Sequence, residues 1–195
     1  MNNKLTTRDF ITIAFFNILI IFGAMISSLF TPFVGYAAVQ IVCAILMTPF
    51  LIILAIKVKK RGVFLLTGIC QGLFYMAMGM TYYILIYLVF TIIAEIICWK
   101  TESYNSIWKV TVGTALFQIG YYLGGVVPLF LFREKYLAAL GSSYSDEKAL
   151  NDMLYYYEDP VMISVMILLT VIGVIISSFI AKSILNRHIK KAKHV

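Results

Sequence analysis

Six apolar stretches govern what this chain can fold into: Phe10–Phe30, Phe33–Ile56, Val63–Gly79, Tyr82–Cys98, Ile107–Phe132 and Val161–Ile184. A helix needs about 20 predominantly apolar residues to cross the roughly 30 Å hydrocarbon core of a bilayer. In lipid every backbone N–H and C=O must be bonded within its own segment, so such runs are predicted to be helices. The expected fold is an all-α integral membrane protein, a single domain over 1–195 with six transmembrane helices. An even count puts both termini on one side. Met80 and Thr81 alone separate the third and fourth runs, which predicts a tight helical hairpin. Pro49 lies inside the second run and should kink that helix near Ile45, whose carbonyl it leaves unpaired.

Composition closes the soluble alternatives. The 195 residues are 62% hydrophobic and 13% charged, with mean hydropathy +0.92. A small domain leaves much of its surface exposed, so a surplus of this size needs lipid as its solvent. The net charge of +7 reads as the bias of Lys and Arg toward cytoplasmic loops. No nucleic acid is expected, because no basic stretch outside the apolar runs is interleaved with aromatics. Cys43, Cys70 and Cys98 all fall within apolar runs and lack metal-ligand spacing, so no metal site is expected. The first run is too long for a signal-peptide core and no small-residue cleavage pattern follows it.

The longest polar interval, Phe132–Pro160, is placed by charge. If the termini are cytoplasmic, thirteen of the sixteen lysines and arginines are inside; only Arg133, Lys135 and Lys148 are outside. A bias this strong fixes the expected orientation and puts the interval outside the cell. Ser145 is positioned to cap a short helix, with Asp146 and Glu147 in its positive first turn. Leu150, Met153, Leu154 and Tyr157 then recur at helical spacing as an apolar stripe. Asp159-Pro160 reads as the N-cap and first residue of the last helix. The segment is expected to lie as a lid over an outward-facing pocket, ordered by Tyr155, Tyr156 and Tyr157. Arg133, Glu158 and Asp159 at the outer mouth recognise charge or are simply solvated.

No enzyme is expected. The two histidines, His188 and His194, sit in the basic tail, so the spans hold neither H-E-x-x-H nor a Ser–His dyad. No phosphate-binding GxxxxGK[ST] sequence occurs, and no cofactor is implied. The one acid inside the spans is Glu95. It is expected to pair with Lys109 or a partner subunit, or to reach the interface, in a structural or docking role rather than in ion coupling.

The polar inventory of the spans points to binding. Gln40, Gln71 and Gln118 are amides that need partners or a ligand in lipid. Tyr36, Tyr82, Tyr83, Tyr121 and Tyr122 suit a flat ring by stacking, or form an interfacial belt. Gln118, Tyr121 and Tyr122 share one face at i, i+3, i+4 and favour a pocket. Gly120, Gly124 and Gly125 on the same helix permit close approach or a local break. Ala14 is small enough to seat another helix, and Asn17 needs a partner.

Several stretches resemble the substrate-binding (S) components of energy-coupling-factor (ECF) transporters, nearest to the Trep_Strep group. They are Lys4-Leu5-Thr6-Thr7-Arg8-Asp9, Lys57-Val58-Lys59-Lys60, GMTYYILIYLVFTIIAEII at 79–97 and REKYLAALGSSYSDE at 133–147. The resemblance implies a bacterial cell-membrane subunit that captures a vitamin-like small-molecule substrate from outside. It implies docking on one membrane coupling subunit and two ATP-binding subunits, which would hydrolyse the ATP. Family members line the pocket with the loop after span one, the hairpin of spans three and four, and spans four to six. A small-xxx-small pattern in span one meets the coupling subunit; Ala14 matches its first position, but Ile18 occupies the second. Ala14 and Asn17 are therefore the candidate docking residues. The candidate substrate-binding residues are Gln118, Tyr121, Tyr122, Tyr82, Tyr83, Gln40, Gln71 and Tyr36, suited to a neutral or weakly charged heterocycle. The alternatives are a non-transporting membrane scaffold and, against the lone Glu95 and the lack of an inverted repeat, an ion-coupled carrier.

Overall fold

The computed structural model describes residues 4–141 and 147–192, and these form helices and no strand. The order is α1 (Thr7–Ser28), α2 (Thr31–Val58), α3 (Val63–Ala77), α4 (Tyr83–Ile97), a 3-10 turn (Thr101–Asn105), α5 (Ile107–Leu131), α6 (Arg133–Gly141), α7 (Glu147–Glu158) and α8 (Pro160–Ala192). Four of them (α1, α2, α5 and α8) are long and apolar enough to cross a membrane. α3 and α4, at 15 residues each, are shorter apolar helices. The outside of the bundle is apolar too. Phe10, Phe15 and Phe22 on α1, Leu85 and Val89 on α4, and Leu168 and Phe179 on α8 are all exposed. An exterior of this kind is matched by lipid rather than water. The protein is thus an all-helical, multi-pass membrane protein.

Local sequence explains where the helices begin. The Asp9 carboxylate accepts the Thr6 N–H and the Thr6 hydroxyl, both at 2.7 Å, at the start of α1. Asp159 Oδ1 accepts the N–H groups of Val161 and Met162 at 2.8 and 2.9 Å, with Pro160 opening α8 as predicted. The expected cap at Ser145 lies outside the described residues. α7 carries the predicted stripe: Met153 is buried, and Leu150, Leu154 and Tyr157 pack around it with Leu129 and Tyr136. The chain between α5 and α7 also forms α6, a helix that the apolar pattern does not announce.

Helical backbone angles continue through Pro49, and the break in α2 falls at Gly35, with φ 75° and ψ 167°. Glycine takes a positive φ without the Cβ clash that other residues meet there, so the break is accommodated at Gly35. Next to the proline, the Thr48 hydroxyl donates to the Ala44 carbonyl at 2.6 Å.

Small residues set the helix spacing. A Cβ on Gly68 of α3 would lie 2.3 Å from Thr91 Cγ2 of α4, and one on Gly120 of α5 would lie 2.4 Å from Phe90 Cβ. α5 runs unbroken past Gly120, so the close-approach reading of its glycines holds and the local-break reading does not. Phe90 Cβ is fixed to its backbone and cannot swing aside. Gly120→Val is therefore expected to destabilise the bundle by about 1–3 kcal/mol through overpacking. An unchanged thermal midpoint in detergent would show that α4 and α5 separate freely.

Candidate functional site

The bundle has two chemically different ends. At one, the α2–α3 turn meets the end of α4. Glu95 on α4, 6% exposed, accepts the N–H groups of Gly62, Phe64 and Leu65 at 2.7, 3.1 and 3.4 Å. The same carboxylate accepts the Tyr104 hydroxyl at 2.9 Å. It therefore supplies negative charge to the unsatisfied N–H groups that open α3. Of the expected alternatives, Lys109 is not the partner found: the carboxylate is engaged by backbone N–H groups and a tyrosine of its own chain. Burial, then the neighbouring Glu95 carboxylate, push the Tyr104 hydroxyl well above its ordinary value, so it stays a donor. Lys60 pairs with Asp9 at 2.6 Å, and Arg61 donates to the Trp99 carbonyl at 2.7 Å with its guanidinium over the Trp99 ring.

At the other end lies a cavity of about 240 Å³. Its walls come from α1 (Ser27, Ser28), α2 (Thr31, Tyr36, Gln40, Cys43), α3 (Tyr75), the α3–α4 turn (Met80), α4 (Tyr83), α5 (Tyr121, Tyr122, Gly125) and α8 (Met166). Tyr136 of α6 and Met153 and Tyr157 of α7 close it from above. The Tyr75 ring packs at centroid distances of 5.0 Å on Tyr83 and 5.5 Å on Tyr121. The Tyr83 hydroxyl donates to the Tyr121 carbonyl. The Tyr122 hydroxyl donates to the Tyr156 carbonyl at 2.6 Å, tying α5 to α7. Gln40 Nε2 donates to the Thr170 hydroxyl at 2.9 Å. Tyr82 stacks on Phe132 at 4.7 Å and Tyr36 on Tyr156 at 6.2 Å.

Below the cavity, polar residues repeat every four positions on three helices. Tyr75, Gln71 and Thr67 do so on α3; Tyr83, Tyr87, Thr91 and Glu95 on α4; Tyr122, Gln118 and Thr114 on α5. All ten are buried. Spacing of four residues stacks side chains one turn apart on a single helix face, so each of the three helices carries a buried polar stripe, collectively a seam. Thr67 Oγ1, Gln71 Oε1, Tyr75 OH, Tyr87 OH, Thr114 Oγ1 and Gln118 Oε1 meet no hydrogen-bond partner among the described residues. Buried polar atoms in proteins are overwhelmingly bonded, so the seam holds hydrogen-bonding capacity that the protein itself does not use.

The residues singled out from the sequence divide accordingly. Tyr36, Gln40, Tyr83, Tyr121 and Tyr122 line the cavity. Tyr82 does not line it and instead stacks on Phe132. Gln71 and Gln118 lie in the seam beneath. Gln71 Nε2 donates to Asn17 Oδ1 at 3.2 Å, and Gln118 Nε2 is 3.9 Å from both Cys43 Sγ and Met47 Sδ. Ala14 is exposed with Phe15 and Ile18 on the outer face of α1. Asn17 is not: it is 3% exposed and turned inward onto Gln71, which removes it from an outward docking face. Arg133 pairs with Glu158 and Asp159 caps α8, beside a separate surface groove and not in the cavity wall. Tyr75, Ser27, Thr31 and Tyr136 escaped the sequence-based selection of site residues. Only Tyr75 had a signal, its position one turn beyond Gln71 on the same face. Among the described residues no three His, Cys, Asp or Glu side chains gather as a metal-ligating group.

No curated protein and no solved structure matches the chain. A family profile described as "Hypothetical bacterial integral membrane protein (Trep_Strep)" matches residues 7–191. That match spans every helix lining the cavity and both short helices that cover it, and the chain belongs to the Trep_Strep family of bacterial integral membrane proteins.

Proposed function

We propose that the protein is the solute-binding membrane subunit of an ECF-type uptake transporter. It captures a small vitamin-like or heterocyclic solute from outside the cell. It then delivers the solute through an ATP-driven module of one membrane coupling subunit and two ATP-binding subunits, and it performs no chemistry of its own. In this reading α1 to α5 and α8 are six transmembrane helices with both termini cytoplasmic. α6 and α7 form an extracellular lid, and Ala14 lies on the face that meets the coupling subunit. The observation that carries the reading is the tyrosine-walled cavity at the bundle end opposite the basic α2–α3 turn. A preformed concave site with a few convergent polar groups is the usual form of a small-molecule site. Its place under two short helices suits capture from one side of the membrane only.

Two measurements test it. Purified protein should bind a small solute saturably, and gentle extraction from the native membrane should retain ATP-binding partners. Co-purification with an unrelated complex, and no saturable binding, would favour the scaffold reading instead. Gln118→Leu addresses the seam. Leucine suits a wall of Cys43 and Met47 and removes an amide oxygen without a partner, so the thermal midpoint should hold or rise. Solute affinity should fall, because Gln118 lies directly beneath Cys43. Unchanged affinity would place the amide outside the site.

A further inference from the structure

We infer that the cavity takes an uncharged aromatic solute with a hydrogen-bonding edge and rejects ionised analogues of the same ring. This rests on the solute-binding reading above and deepens it. Among the described residues, no Asp, Glu, Lys, Arg or His lines the cavity. Of the outer charges that could recognise an ion, Arg133 pairs with Glu158, and Asp159 is committed to the first N–H groups of α8. Glu95 sits at the far end of the seam, held by α3. A carboxylate or phosphate entering here would lose its water and find no cation. An ion buried without a partner is strongly disfavoured, whereas a neutral polar group needs only hydrogen bonds.

Seven tyrosines contribute to the walls, which raises the opposite possibility, an aromatic cage for a cation. Such a cage needs free ring faces turned to the guest. Here Tyr75, Tyr83 and Tyr121 pack against one another at 5.0–5.8 Å with interplanar angles of 38–67°. The Tyr122 and Tyr157 rings meet edge to face at 90°. Their faces are turned largely to each other, so a guest meets mainly ring edges. A flat neutral ring gains edge-to-face contacts against such walls, whereas a cation would need open faces.

The hydrogen-bonding edge follows from Tyr75. It lines the cavity and is 8% exposed, and its hydroxyl, buried beside Tyr121, makes no hydrogen bond of ordinary geometry there. A phenol donates one hydrogen bond and accepts another. It therefore suits an amide, a lactam or a hydroxyl on the guest, groups that offer both without carrying charge.

The experiment compares matched probes on the detergent-purified full chain by titration calorimetry. One set is nicotinamide, nicotinate and 1-methylnicotinamide, which are neutral, anionic and cationic on one ring. The other is indole-3-acetamide, indole-3-acetate and tryptamine. At least one neutral member should bind, and its charged counterparts should bind more than about 100-fold more weakly, because each would be buried unpaired. Tyr75→Phe should weaken the neutral probe while leaving the thermal midpoint unchanged. A charged member binding as tightly as its neutral counterpart overturns the inference and leaves the solute-binding reading standing. No binding by any of the six, together with protein that is ligand-free by native mass spectrometry, overturns both.

Discussion

Glu95→Ala is expected to destabilise the protein by about 2–4 kcal/mol, the sum of stranding several buried donors at once. The Glu95 carboxylate gathers three N–H groups and the Tyr104 hydroxyl into one cluster. Its removal leaves the first turn of α3 without an acceptor and the buried Tyr104 without a partner. Tyr104→Phe removes only one of those contacts and should cost about 1 kcal/mol. Because the two share one carboxylate, the double variant should be less destabilised than the sum of the singles. Glu95→Gln should fall between: its oxygen still accepts, but its NH₂ faces donors. Thermal midpoints in one detergent measure all four. A Glu95→Ala variant no weaker than Tyr104→Phe would show that solvent, not the carboxylate, serves the α3 terminus.

Gly125→Leu should abolish solute binding while largely sparing the fold, an affinity loss of at least about 100-fold, or roughly 2.7 kcal/mol. A Cβ at Gly125 would stand 2.8 Å from Cε2 of Tyr157. The conflicting atoms are the far end of a side chain that can rotate away, so the backbone of α5 need not move. The added side chain would then occupy the cavity itself while Tyr157 leaves its seat over it. The contrast with Gly120 is the control: there the neighbouring atom is Phe90 Cβ, and the penalty appears in stability. Calorimetry with nicotinamide or indole-3-acetamide reads the first effect and the thermal midpoint the second. Full affinity in Gly125→Leu would move the binding site out of this cavity.

Helix identity was legible in the sequence because lipid leaves the backbone no alternative, and the apolar runs place the long helices to within a few residues, except that α8 continues eight residues past Ile184 into the basic tail. The α7 stripe and the Asp159-Pro160 start were legible for a related reason, since each depends on neighbours within one turn. What was not legible depends on distant residues. Glu95 and Gly62 are 33 positions apart, and no periodicity announces that an acid on α4 will serve the start of α3. The same limit applies to the site. Periodicity placed Gln118 with Tyr121 and Tyr122 on one face, yet an α5 face can look into a cavity at one level and into a neighbouring helix one turn lower. Asn17 shows what local chemistry can say: a polar residue on an apolar helix needs a partner, and it finds one in Gln71, though the identity of that partner was not legible.

The brevity of α3 and α4 has a consequence for the surrounding membrane. At 1.5 Å per residue, 15 residues reach about 22 Å, against a hydrocarbon core of roughly 30 Å. In the six-span reading this hairpin presents Leu73, Leu85, Val89 and Ile96 to lipid along one flank, while the longer α1 and α8 face the rest. Acyl chains beside the hairpin must shorten or splay to meet it, at a fraction of a kcal/mol per ångström. In that reading the protein carries a thin side and a thick side, and the bilayer around it is lopsided. A molecule deforming its solvent in this way is drawn toward thinner membrane and toward any neighbour with an equally short flank.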